Sequence, residues 1–246
     1  MIKEALQYII GLQQPRIQKI NNQEYYFHNN NIPMLVDTCR ECETLEISTL
    51  TSLVEYIKNR MPDDFSTADG MPKMIVHVES ETEVRLVTVF NDDMKRWELA
   101  KVKARLPRIA LNEFVDQEKF IIQMQSMFAE TTDKTIVLQV AGNVEDKTVA
   151  NYGDDGVSQK ATIKTGLANV EDVIVPNPVI LRPFRTFHEV EQPDIEFIFR
   201  MKNGVGGVSC ALFEADGGAW KFKAVHSIAE YLEKELKGVE NIAILS

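Results

Sequence analysis

The stretch Val175-Pro176-Asn177-Pro178-Val179-Ile180-Leu181-Arg182-Pro183-Phe184-Arg185-Thr186-Phe187-His188-Glu189-Val190-Glu191-Gln192-Pro193, with the alternating run Ile195–Met201 behind it, decides how this chain is read. Proline fixes φ near −65° and has no backbone N–H, so prolines at this density mark ordered extended backbone and exclude a helix interior. The following run has period two, with Ile195, Phe197, Phe199 and Met201 on one side and Glu196, Ile198 and Arg200 on the other, the pattern of a half-buried strand. Together they predict a β-meander. Working outward, strands are expected over 161–165, 170–175, 179–184, 195–202, 207–214 and 219–224, with turns at Gly204-Val205-Gly206-Gly207 and Asp216-Gly217-Gly218. A closing helix over 226–237 carries Ile228, Ala229, Leu232 and Leu236 on one face and stops at Gly238, and Ile242–Leu245 adds an edge strand.

Toward the N-terminus the periodicity is mixed. Residues 1–12 space Ala5, Leu6, Ile9, Ile10 and Leu12 as a short amphipathic helix, and 25–28 and 34–36 form a hairpin candidate around Asn29-Asn30-Asn31. Ser48 or Thr49 caps a helix whose Leu50, Leu53, Val54, Ile57 and Met61 fall on one stripe, ended by Pro62. From Lys73 the period becomes two: 74–78 and 84–90 read as a hairpin across the acidic turn Glu79–Glu83, and Trp97, Leu99 and Val102 continue the sheet. Arg105–Leu111 is extended, and Asp116 opens a helix burying Phe120, Ile121, Met124, Met127 and Phe128. The short apolar run Thr135–Ala141 fits strand or helix equally. The resulting fold class is α+β, rich in antiparallel sheet with a few covering helices. Domain organisation reads as an N-terminal α+β region, 1–142, a polar loop or boundary, 143–160, and a C-terminal β-meander with its closing helix, 161–246; one continuous domain is equally compatible.

A chain of 246 residues that is 44% hydrophobic and 26% charged has the material for a substantial core. Its formal charge of −10 repels phosphate backbones at long range, which disfavours duplex nucleic acid as a partner. The N-terminal residues lack the features of a secretory signal, and no apolar run spans a bilayer, so a cytoplasmic protein without a membrane partner is expected. Three cysteines fit a reducing compartment. Cys39-Arg40-Glu41-Cys42 has metal-site spacing, but a structural zinc needs two more ligands, and Cys210, His28, His77, His188 and His226 are scattered without a second motif. No metal and no cofactor are therefore expected.

No catalytic signature stands out. The Gly-x-Ser-x-Gly elbow is absent, Ser209 and Cys210 fall inside a predicted strand, and Gly204–Gly207 lacks the Lys-Ser/Thr and the helix that make a phosphate-binding loop. Acid pairs at Asp63-Asp64, Asp92-Asp93, Asp154-Asp155, Glu189/Glu191 and Glu214/Asp216 lack a nuclease or hydrolase spacing. Arg182, Arg185, His188 and Arg200 are the candidate ligand-binding residues: fixed cations beside Phe184, Phe187, Phe197 and Phe199, able to hold a carboxylate or phosphate by charge-assisted hydrogen bonds. The competing reading pairs them internally with Glu189, Glu191 and Glu196. The aromatics Phe213, Trp220 and Phe222, flanked by Lys221 and Lys223, also fit a base-stacking strand, although core-and-solvent alternation accounts for them equally.

The helix Thr49–Met61, the segment Phe120–Phe128, the Pro176-Asn177-Pro178 and Arg182–Phe187 block and the closing helix Ile228–Leu236 together resemble a family of phage and prophage proteins of unknown function, encoded in the early region near recombination and nucleotide-metabolism genes. The resemblance spans most of the chain. It implies residence in a bacterial host cell and an accessory role, and it brings no catalytic residues with it. Two functions follow as expectations: a non-enzymatic accessory protein that binds a host or phage protein or a small anionic effector, in the manner of an inhibitor of host defence; or, alternatively, an early-region enzyme acting on nucleic acid or nucleotides. A homo-oligomer is compatible with either.

The cysteine reading has a direct check. Replacing Cys39 and Cys42 together by Ser is expected to shift unfolding stability by less than about 0.5 kcal/mol, the range of ordinary surface changes. Stoichiometric zinc in the purified protein that disappears in the double variant would contradict it.

Overall fold

The computed structural model describes residues 43–60, 73–90, 94–143, 177–204 and 207–246, together with the backbone of strands at 16–20, 23–27, 33–35, 159–165 and 169–175. The chain forms two compact units, Met1–Cys42 and Glu43–Ser246. In the first, β1 (Arg16–Ile20), β2 (Gln23–Phe27) and β3 (Pro33–Leu35) make an antiparallel sheet in that order. Tyr25 faces Leu35 and Tyr26 faces Met34, the hairpin expected from the sequence, with β1 an addition. The helix expected over 1–12 and the pair Cys39 and Cys42 lie outside the described residues.

In chain order the second unit runs β4 (Leu45–Ile47), α1 (Leu50–Glu55), β5 (Met74–Ser80), β6 (Glu83–Thr88), β7 (Glu98–Lys103), β8 (Val115–Asp116), α2 (Gln117–Met127) and α3 (Thr132–Asn143). It continues through β9 (Gln159–Thr165), β10 (Asn169–Val175), β11 (Val179–Leu181), β12 (Ile195–Gly204), β13 (Gly207–Glu214), α4 (Ala219–Glu235) and β14 (Ile242–Leu245). A five-stranded sheet has the order β14-β5-β6-β7-β4, antiparallel through β5-β6-β7 with parallel strands at both edges. A four-stranded antiparallel sheet has the order β11-β12-β13-β8, and β9 and β10 pair as a hairpin. The fold class is α+β, mostly antiparallel.

The five-stranded and the four-stranded sheet each bury one face under helices. Strand alternation sends Met74, Val76, Val78, Val84 and Leu86 inward against Leu50, Leu53 and Ile57 of α1 and its continuing π turn (Tyr56–Arg60), and against Ile228 and Leu232 of α4. The second core packs Phe197, Phe199 and Leu212 against Phe120 and Met124 of α2 and Val137 and Val140 of α3. Residues 132–143 are thus helical, the periodicity of Val137, Val140 and Ala141 deciding what a short apolar run left open. This core draws on elements from both sides of 143–160.

The strand expected over 219–224 is instead the first part of α4. Gly217 and Gly218 turn the chain with positive φ, and the Asp216 carboxylate accepts from the backbone N–H groups of Gly218 and Trp220, both at 3.0 Å, satisfying donors that a helix start leaves free. From there the buried positions are Trp220, Ala224 and Ile228, a period of four, while Phe222 is exposed on the far side. The base-stacking strand proposed for Trp220 and Phe222 is therefore corrected. Helix α4 runs past both sheets: Trp220 and Ala224 belong to the core of the four-stranded sheet, Ile228, Ala229, Leu232 and Leu236 to that of the five-stranded one.

A second tie is the proline-rich segment after β11. Its edge is closed first: Ile180 N–H donates to Asp133 Oδ2 (2.7 Å), Ala129 N–H to the Arg182 carbonyl (2.8 Å) and Phe184 N–H to the Met127 carbonyl (3.0 Å), so this strand edge is covered. Residues 184–192 then wrap around the side chain of Gln192, which is 7% exposed. Its Oε1 accepts from the N–H groups of Arg185 (3.0 Å) and Thr186 (3.2 Å), and its Nε2 donates to the Phe187 carbonyl (3.0 Å). The loop held this way reaches the other sheet at three points. Phe187 is buried in its core, Thr186 Oγ1 donates to the Glu81 carbonyl in the β5–β6 turn (2.6 Å), and Glu189 Oε1 accepts from Leu50 N–H (2.8 Å) at the start of α1. Gln192→Ala leaves buried backbone groups unpaired and is expected to cost on the order of 2–4 kcal/mol in urea unfolding. A change below about 0.5 kcal/mol, the level of an ordinary surface substitution, would contradict the clamp.

Candidate functional site

Arg182 follows β11 with its side chain outward by strand parity. Leu181 pairs with Ile195 across β11 and β12, so the same register places Arg182 opposite Asp194. The guanidinium contacts Asp194 through Nε (2.5 Å) and Glu191 through Nη1 (2.9 Å). The hydrogen bond from Arg182 holds the Asp194 carboxyl below the usual aspartate range, and Asp194 in turn raises the Arg182 guanidinium. A shallow cavity of about 340 Å³ adjoins them, lined also by Glu130, Asp133 and Ile180; its acids outnumber its single cation.

Arg185 lines a different cavity. Its guanidinium carbon lies 4.1 Å from the centre of the Trp220 ring, a cation–π arrangement, and Nη1 donates to Glu214 Oε1 at 2.9 Å. Trp220 is 1% exposed and fixed by both the cap of α4 and the surrounding core, whereas Arg185 keeps 23% of its side chain exposed. The cleft they border has about 340 Å³, with apolar walls from Ile109, Leu111 and Phe184 and polar lining from Glu81, Thr82 and Glu214, so here too the acids outnumber the single cation. Apolar walls with few fixed polar groups are the usual make-up of a small-ligand site.

The four predicted cations are thus not one cluster. His188 is exposed and packs its ring against Phe184, 5.3 Å between centres, which places it beside the Arg185 cleft. Arg200 lies mid-strand opposite Ala211 and lines neither cavity. The expected acids are divided as well: Glu191 pairs with Arg182, Glu189 accepts at the start of α1, Glu214 pairs with Arg185 and Asp216 caps α4. Cys210 is buried inside β13, and that burial pushes its thiol up to about 12, which removes it as a nucleophile near neutral pH. Buried Lys134 is also structural, donating to the Phe128 carbonyl (2.8 Å) and to Glu130 (2.6 Å). Among the described residues no group of three or more His, Cys, Asp and Glu could hold a metal ion, and no helix is long and apolar enough to cross a membrane.

Trp220 and Glu214 as partners of Arg185 escaped the sequence reading. Trp220 was assigned to a strand, and nothing in the spacing links residue 185 to residue 214. Comparison of the chain with protein-family models, with curated proteins and with solved structures found no match.

The Arg182–Asp194 pair carries a pH signature. Because the folded-state pKa of Asp194 lies below its unfolded value, its contribution to stability is present above about pH 4 and fades as pH falls through the folded value. The stability difference between wild type and Asp194→Asn, measured by urea unfolding from pH 7 to pH 3, should shrink toward the acid end. A difference that stays constant with pH would show that the pair contributes nothing through charge.

Proposed function

We propose that this chain is a non-enzymatic binding protein, an accessory protein of a phage or prophage, whose Arg185 cleft takes a small anionic effector or an acidic group of a host or phage protein. The observation that carries this reading is the placement of Arg185: a part-exposed guanidinium seated on a buried Trp220 ring and paired with Glu214, at the rim of a cleft of mixed lining that Glu81 also borders. An incoming carboxylate or phosphate can take the place of Glu214 without moving the arginine, because the ring below holds it in position. Arg182 is less available, having two carboxylates of its own. The phage or prophage setting, and with it a bacterial cytoplasm and a role against host defence, rests on the sequence resemblance. The enzyme alternative gains no support from the acids among the described residues, since Glu189, Glu191, Glu214 and Asp216 all have capping or ion-pair partners, while Asp63-Asp64, Asp92-Asp93 and Asp154-Asp155 lie outside the described residues.

Self-association belongs to the same proposal. β14 is an edge of the five-stranded sheet with Leu245 exposed, an edge that a second copy can extend.

The test is a thermal-shift screen of small carboxylates and phosphates on wild type, Arg185→Gln and Arg182→Gln. A ligand present at a hundred times its Kd adds about 2.7 kcal/mol, which in a protein of this size raises Tm on the order of 5–10 °C. Wild type and Arg182→Gln are expected to shift together while Arg185→Gln does not. Equal shifts in all three proteins would remove the cleft from the account.

A further inference from the structure

The face of the five-stranded sheet turned away from its core carries charge. Along it Arg85 contacts Glu79 at 2.6 Å and Glu83 at 3.1 Å, and Lys101 contacts Glu83 at 2.6 Å. The hydrogen bond between Lys101 and Glu83 raises the lysine and lowers the carboxylate, so this part of the ladder is internally neutralised. Compensation stops at the β4 edge. Lys101, Lys103 and Arg105 recur at every second residue of extended chain and line one cavity of about 320 Å³ with Ser48 and Glu46. Lys103 and Arg105 are exposed and form no ion pair among the described residues. With Lys101 held by Glu83, the unpaired cations of the lining are Lys103 and Arg105 against the one carboxylate of Glu46, a local surplus of +1 in a chain whose formal charge is −10.

Such a local inversion of sign is unfavourable to leave unmatched and favourable to an anion, because nearby fixed charges outweigh a distant screened field. The charge and size select the ligand. Two unpaired cations, Lys103 and Arg105, can each meet an oxygen of one doubly charged group, and the guanidinium, the ammonium and the Ser48 hydroxyl are all donors, matching a phosphoryl group with its several acceptor oxygens. An extended polyanion fits poorly, since Glu46, Glu83 and Glu98 border the basic residues on the same sheet. We propose that the cavity formed by Ser48, Lys101, Lys103 and Arg105 binds a small phosphorylated molecule, with Arg105 and Lys103 as the charge-assisted donors. This site is separate from the Arg185 cleft and does not depend on it.

The experiment is a titration of the full chain, labelled with ¹⁵N, with pyrophosphate and in parallel with malonate, followed by amide shifts. Saturable shifts at Ser48, Lys103, Ala104 and Arg105 are expected with pyrophosphate, at lower Kd than with malonate, and unchanged in Arg185→Gln. The double change Lys103→Gln and Arg105→Gln, on exposed residues that should leave folding intact, is expected to raise the Kd roughly tenfold or more, the loss of a charge-assisted hydrogen bond. Glu46→Gln should lower it. Absence of saturable shifts at these amides, an unchanged Kd in the folded double variant, or equal binding of malonate would each overturn the proposal.

Discussion

The side-chain amide of Gln192 is the constraint on which the arrangement of the second unit most depends. A nine-residue stretch with no regular hydrogen bonding leaves backbone donors and acceptors to satisfy, and a buried one left unpaired costs roughly 1–3 kcal/mol. One carboxamide meets three of them at once, the N–H groups of Arg185 and Thr186 and the carbonyl of Phe187. With the loop closed on itself, its side chains have fixed directions: Phe187 into the core of the five-stranded sheet, Thr186 to the β5–β6 turn, Glu189 to the start of α1, and Arg185 toward Glu214 of the other sheet and Trp220 of α4. Helix α4 makes the same connection by hydrophobic contact, contributing Trp220 to one core and Leu232 to the other. Hydrogen bonding and apolar burial therefore tie the two sheets, and Glu81, Arg185 and Trp220 of this tie also border the Arg185 cleft.

Local pattern carried most of the elements. Period two in 74–88 and 195–201, the caps at Thr49 and Asp116, and the apolar run Ile242–Leu245 all became the structures their physics favours. Where local pattern failed, the deciding term was a neighbour in space or a longer period. Trp220-Lys221-Phe222-Lys223 alternates like a strand over four residues, but Trp220, Ala224 and Ile228 continue a helical spacing that only a longer window reveals, and Asp216 starts it. Neither the Arg182–Asp194 pair nor the Arg185–Glu214 pair was legible: the first depends on a β11–β12 register across the long connection 182–194, and the second joins the proline-rich loop to the end of another hairpin.

Charge is organised more finely than the net value of −10 implies. Several cations are neutralised by a carboxylate on a neighbouring strand or loop, as Arg182 is by Asp194 and Lys101 by Glu83. Two places stand out: an arginine positioned by an aromatic ring and paired with Glu214, and the Lys103–Arg105 edge, whose two cations form no ion pair among the described residues. Both are concave, and the Lys103–Arg105 cavity opposes the overall sign of the protein, which is the electrostatic condition for selective anion capture at short range.

If the Gln192 loop and α4 bind the two sheets into one cooperative body, native-state hydrogen exchange tests this most directly. The amides of Val76 and Leu86 in the five-stranded sheet, and of Phe199 and Leu212 in the four-stranded sheet, should then open with the same free energy and the same dependence on denaturant, both equal to global unfolding. A lower opening free energy with a shallower denaturant dependence, confined to the strands of one sheet, would contradict the account by showing that each sheet holds itself together without the other.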